Sequence, residues 1–73
     1  MDHFFTVVET QMSAEGVVSY LTSSHSTIES AFNKLYTVLA YAAVSELPYH
    51  GAVMLDDTNA VVYGRVFDRR TEA

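Results

Sequence analysis

Residues 26–48, STIESAFNKLYTVLAYAAVSELP, decide the fold. Ile28, Ala31, Phe32, Leu35, Val38, Leu39, Ala42 and Ala43 recur at spacings of three and four. At about 100° per residue they fill one sector about 140° wide, the stripe of a helix lying on a sheet. Ser26-Thr27-Ile28-Glu29 has the form of a capping box, with Ser26 accepting from the Glu29 amide and Glu29 reaching back. Pro48 stops the helix, because proline drives Leu47 out of helical angles. The spacing therefore predicts one helix over about residues 27–46. Its far side carries Ser30, Asn33, Lys34 and Thr37, interrupted by Tyr41 and Val44.

Outward from the helix, both flanks read as strands. Phe4 to Met12 is rich in aromatic, β-branched and threonine residues. Ser13-Ala14-Glu15-Gly16 reads as a turn and Val17 to Thr22 as the returning strand. After Pro48, Ala52 to Leu55 is a short strand. Asp56-Asp57-Thr58-Asn59 is turn chemistry, since Asp and Asn bond their own backbone and tolerate left-handed angles. Ala60 to Phe67 closes the chain's strands. The expectation is a single α+β domain over residues 1–73: ββαββ, a four-stranded antiparallel sheet with one helix packed on one face.

Side chains alternate across a strand, so each strand divides into two sets. In the first, Phe4, Thr6, Val8, Thr10 and Met12 oppose Phe5, Val7, Glu9 and Gln11. Val17, Ser19 and Leu21 oppose Val18, Tyr20 and Thr22 in the second. The fourth divides into Ala60, Val62, Gly64, Val66 and Val61, Tyr63, Arg65, Phe67. Neither set is cleanly polar, unlike a sheet with one wet face. One helix covers one side, so the other is left apolar. A chain of this length buries only about 60% of its unfolded surface, and there is no cysteine for a disulfide staple. Self-association, most simply as a homodimer, is the expected remedy.

Composition narrows the functions. Apolar residues are 49% of the chain and charged residues 18%, a globular balance far from disorder. No apolar run approaches the roughly 20 residues a bilayer requires, and Met1-Asp2-His3 is not the basic start of a secretion signal. The expected setting is the cytoplasm, with no membrane contact. Net charge is −5, and the only bases are Lys34, Arg65, Arg69 and Arg70. A phosphate backbone needs clustered bases, so direct nucleic-acid binding is not expected.

Motifs for chemistry are weak. His3, His25 and His50 form no i, i+4 metal pair, and there is no G-x-S-x-G elbow. The Asp56-Asp57-Thr58-Asn59 run lacks the glycine and distal glutamate of a calcium loop. No catalytic residue, metal or cofactor is assigned. The most distinctive feature is Arg65, Arg69 and Arg70 with Tyr63 and Phe67 interleaved. Arginine forks take carboxylates and phosphates, and aromatic faces stack on bases. Arg65, Arg69, Arg70 and Tyr63, with Tyr41 on the helix, are the candidate partner- or ligand-binding residues. The alternative use of the arginines is to pair Asp68, Glu72 or acids of another subunit.

Phe4-Phe5-Thr6-Val7-Val8-Glu9-Thr10, the capped helix, and Val53-Met54-Leu55-Asp56-Asp57 running into Val61-Val62-Tyr63 resemble very small proteins of phages and prophages. In those a hairpin, one helix and a second hairpin make up the chain. The resemblance covers about residues 4–67 and rests on architecture. It implies a protein of the anti-CRISPR or anti-defence kind, which inhibits a host protein in the host cytoplasm by binding rather than by chemistry. Two other readings stand beside it: an oligomeric module sequestering a small anionic or nucleotide ligand, and a small enzyme with an interfacial site.

Overall fold

The computed structural model describes residues 3–70. The order is β1 (Phe5–Met12), β2 (Val18–His25), α1 (Ile28–Val44), β3 (Tyr49–Leu55) and β4 (Val61–Asp68). The strands form one sheet in the order β2-β1-β3-β4, with every neighbouring pair antiparallel. This is the expected ββαββ architecture, with α1 against one face of the sheet. The two hairpins join through β1 and β3, which sit at the centre.

Both turns follow from their residues. Gly16 takes φ 89°, where a side chain would strain, and its amide donates to the Ser13 carbonyl at 2.9 Å. Asp56 organises the β3–β4 turn: its Oδ1 accepts from the Thr58 amide and hydroxyl and from the Ala60 amide. Asn59 supplies the left-handed residue at φ 66°. Those hydrogen bonds, led by the Thr58 hydroxyl, hold the Asp56 carboxyl below its ordinary range.

The helix start differs from the expected capping box. Thr27, not Ser26, is the N-cap, and its Oγ1 accepts from the Ser30 amide at 3.1 Å. The cause lies upstream. β2 runs through His25 rather than ending at Thr22, because Ser23, Ser24 and His25 pair with Val7, Thr6 and Phe5. The chain can turn only after that pairing ends. Glu29 then falls one position too early to close the box, but it still sits in the positive first turn. The helix also ends at Val44, two residues short of Glu46, with Ser45 as the C-cap in an extended conformation. β3 begins at Tyr49 instead of Ala52, since β1 and β4 pair with it on both sides.

The core is a thin layer between α1 and the central strands. Ala31, Leu35, Val38 and Ala42 of the helix are buried with Val7, Ala52 and Met54 of the sheet. Phe5, Phe32 and Leu39 pack around that cluster. On β1 the covered set is Phe5, Val7, Glu9 and Gln11, and on β3 it is His50, Ala52 and Met54. The helix reaches β2 least, so Leu21 stays exposed although it points to the helix side.

Candidate functional site

The face of the sheet away from α1 carries four cross-strand rows fixed by the register. Val18, Met12, Tyr49 and Asp68 form the first, and Tyr20, Thr10, Gly51 and Val66 the second. Thr22, Val8, Val53 and Gly64 form the third; Ser24, Thr6 and Leu55 stand in the fourth, where a bulge sets Val61 and Val62 against Leu55. The helix lies against the other face, and among the described residues Arg70 lies over the end row, at Tyr49. Tyr20 is 66% exposed and Val66 48%.

Glycine shapes this face. A Cβ on Gly51 would lie 2.8 Å from the Arg65 carbonyl oxygen and 2.8 Å from a methyl of Val66. On Gly64 it would lie 3.0 Å from the Ala52 carbonyl oxygen and from a methyl of Val53. Each valine thus leans across the glycine paired with it, and β3 and β4 approach without standing side chains. The result is a trough of about 380 Å³ lined by Val8, Thr10, Gly51, Val53, Gly64 and Val66, among others. Beside it, on β2, stands Tyr20.

Charge is nearly absent here. Among the described residues, Asp68 is the one acid on the open face, and it lies in the end row. Arg70 donates to it from Nε at 2.9 Å and from a terminal nitrogen at 2.6 Å, and its amide adds a third bond. These bonds hold the Asp68 carboxyl down at about 2. The remaining described acids lie elsewhere: Glu9 beneath the helix, Glu15 in a turn, Glu29 on α1, Glu46 after it, and Asp56 and Asp57 in the far turn.

The arginines singled out from the sequence divide between the two faces: Arg65 and Arg69 share the Phe67 ring on the helix side, Arg69 lying 5.4 Å from its centre, and Arg70 goes to the open face. Arg70 lies over the Tyr49 ring at 5.1 Å, at the end of the open face. Arg69 turns to the helix terminus, where it donates to the carbonyl oxygens of Ala42 at 2.6 Å and Ala43 at 3.1 Å. These are last-turn carbonyls, of which Ala42's also accepts from the Ser45 amide at 3.3 Å, and a cation there opposes the negative end of the helix. Arg65 lies on the helix side of β4 with its guanidinium 4.9 Å from the Phe67 ring centre. Tyr63 meets Tyr36 edge-on at 6.3 Å on that same side. Tyr41 stands on the outer half of α1, 69% exposed, near the still more open Val44. Glu72, an expected partner for an arginine, lies outside the described residues.

One polar pair was not anticipated. His50 is 5% exposed, and its Nε2 lies 2.7 Å from Oε2 of Glu9. Gln11 donates to the same oxygen at 2.8 Å. Burial pushes the Glu9 carboxyl up. The hydrogen bonds from His50 and Gln11, with the charges of His50 and Lys34, outweigh it and leave the pKa below its ordinary value. With Glu9 ionised, Nε2 of His50 carries the proton, and Nδ1 has no hydrogen-bond partner among the described residues. The signal was present in sequence: Glu9 and Gln11 continue the inward set begun by Phe5 and Val7, so they had to find partners beneath the helix. His25, by contrast, is bound by neighbours, Ser23 and Ser30, each at 2.9 Å.

Among the described residues, no three His, Asp or Glu side chains come together to hold a metal. No described helix is long and apolar enough to cross a membrane. The sequence matches no known protein family, no curated protein and no solved structure.

Proposed function

We propose that the chain is a non-enzymatic binding protein that pairs with a second copy of itself through the open sheet face and acts by occupying a surface of another protein. The observation that carries this reading is the distribution of charge. Two copies of a chain with net charge −5 repel. The open face is where the described acids are not, apart from one neutralised by Arg70. It is also apolar and wide. Four strands about 4.8 Å apart and about 25 Å long give roughly 500 Å² in plan. That lies at the top of what monomers leave open and, with side-chain relief added, near the roughly 800 Å² each partner buries in a stable complex.

Pairing of the two sheets turns both helices outward. Tyr41 and Val44, with Glu46 beyond them, then form an exposed apolar and acidic surface for a protein target. The resemblance to small phage proteins of the anti-CRISPR or anti-defence kind gives that target a class, a host defence protein met in the host cytoplasm. An enzyme is disfavoured by the closure of the Glu9–His50 pair, since a general base must reach its substrate. Sequestration of a small anion ranks lower than protein binding because Arg69, which shares the Phe67 ring with Arg65, already donates to the helix-end carbonyls, and Arg70 lies on the opposite face paired with Asp68.

Light scattering over a dilution series tests the self-association. For the target, immobilised native chain is compared with the Tyr41→Asp, Val44→Asp double variant in capturing proteins from bacterial lysate. A protein held by the first and not the second supports the reading. Identical retention by both removes the helix surface from it.

A further inference from the structure

The open face carries a projection and a depression, and the sheet order places them symmetrically. In the order β2-β1-β3-β4, a two-fold axis running along the strands between β1 and β3 exchanges β1 with β3 and β2 with β4. It also keeps each cross-strand row opposite itself. The row Tyr20, Thr10, Gly51, Val66 is then laid against the same row of a second copy, in reverse order. Tyr20, at one end, comes over Val66 and Gly51 at the other. These two residues form one wall and part of the floor of the trough.

We propose that the open face is self-complementary about this axis, with Tyr20 of each copy seated in the trough over Gly51 and Gly64 of its partner. The inference rests on the self-association proposed above and specifies its geometry. Three observations converge on it. Tyr20 is the most exposed aromatic side chain of the face. The trough, at about 380 Å³, has room for an aromatic ring. At Gly51 a Cβ would meet backbone atoms at 2.8 and 2.9 Å, so β3 and β4 come this close only with glycine there, and the depression, bordered by the leaning methyls of Val66 and Val53, is built into the sheet.

Chemistry fits the seat as well. The tyrosine ring is apolar and rigid, and its hydroxyl needs a polar neighbour when buried. Thr10, which lines the trough, offers one. Packed antiparallel sheets keep their strands within about 30° of each other, which agrees with an axis lying near the strand direction. At the rim, the Asp68–Arg70 pair of each copy falls beside the partner's Val18, outside the buried centre, where a neutralised charge costs least.

The experiment uses the unmodified chain. Isotope-labelled and unlabelled protein are mixed at a concentration where light scattering shows dimer, and isotope-filtered nuclear Overhauser spectra are recorded. Within one chain Tyr20 and Val66 are three strand spacings apart, about 14 Å, too far for such a contact. A cross-peak between the Tyr20 ring and the Val66 methyls therefore arises only between copies, and it is the expected result. In parallel, Tyr20→Ala is expected to raise the dimer dissociation constant roughly 30-fold or more, as loss of an aromatic anchor seated in a pocket does. Tyr20→Phe should retain most of the affinity. A dimer lacking the Tyr20–Val66 contact, or contacts joining β2 to β2 of the other copy, overturns this geometry while leaving self-association intact. A monomer at every concentration overturns both.

Discussion

Glu9 and His50, forty-one residues apart in the chain, meet beneath α1 at 2.7 Å and form the main polar contact of an otherwise apolar layer. Their side chains are 15% and 6% exposed, so neither has ready access to water. Removing one member leaves the other buried with fewer partners. His50→Ala is expected to destabilise the fold by roughly 3 kcal/mol, while replacing both by apolar residues of similar volume costs far less. Urea denaturation of the two single variants and the double variant checks this. Additive losses would show that the two residues do not act as a pair.

The same pair sets an acid limit. Glu9 has a folded pKa below its ordinary value of 4.5, so the unfolded chain binds the proton first as pH falls. Its contribution is complete above that value, shrinks as the pH drops below it, and is gone once the pH passes below the folded pKa. Asp56 and Asp68 act in the same direction from exposed positions. Glu9→Gln should therefore lose stability at neutral pH and show a shallower decline into acid than the native chain. Urea midpoints between pH 7 and pH 3 measure the difference. Parallel curves would deny Glu9 this role.

Arg69 is expected to matter through the helix end. Arg69→Ala removes donors from the Ala42 and Ala43 carbonyls and should cost about 1–2 kcal/mol. Each kcal/mol lowers the melting temperature of a chain this size by roughly 4–8 °C, read at fixed protein concentration. Arg69→Lys should recover only part, because one ammonium can replace the terminal nitrogen that serves both Ala42 and Ala43 but not the second one, which reaches the Leu47 carbonyl at 3.5 Å. Full recovery would reduce the interaction to charge alone.

Gly51 and Gly64 are expected to differ. Alanine at Gly51 meets backbone atoms of Arg65 and Val66 at 2.8 and 2.9 Å, so β3 and β4 must part. A loss of roughly 2 kcal/mol is expected for Gly51→Ala. Gly64→Ala, with contacts of 3.0 to 3.1 Å, should cost less. Equal losses measured by denaturation would mean that the close approach at Gly51 relaxes freely.

Much of the architecture was legible because it follows from local chemistry. The stripe from Ile28 to Ala43 and the stop at Pro48 were enough to place one helix, and Asp56 to Asn59 was enough for a turn. What escaped is non-local. Ser23, Ser24 and His25 carry little strand preference and become β2 only through pairing with Val7, Thr6 and Phe5. Tyr49 to Gly51 read as a loop until β1 and β4 flanked it. The arginines looked like one cluster because they are close in sequence. Strand alternation separates Arg65 from the open face, and the chain's exit from β4 sends Arg69 and Arg70 to opposite sides. The trough arises from two glycines that come together only when β3 pairs with β4.

The central claim is that the open, nearly uncharged sheet face joins two copies. Light scattering on the native chain and on Val66→Asp, each over a dilution series, tests it most directly. The native chain should approach twice its 8.1 kDa mass at high concentration and fall toward a single chain on dilution. Val66→Asp, which places an unpaired acid on β4 of that face, opposite the partner's Tyr20, should stay at 8.1 kDa while keeping its folded circular dichroism spectrum. A native chain that is monomeric throughout, or a variant that dimerises as well as the native chain, would contradict the account.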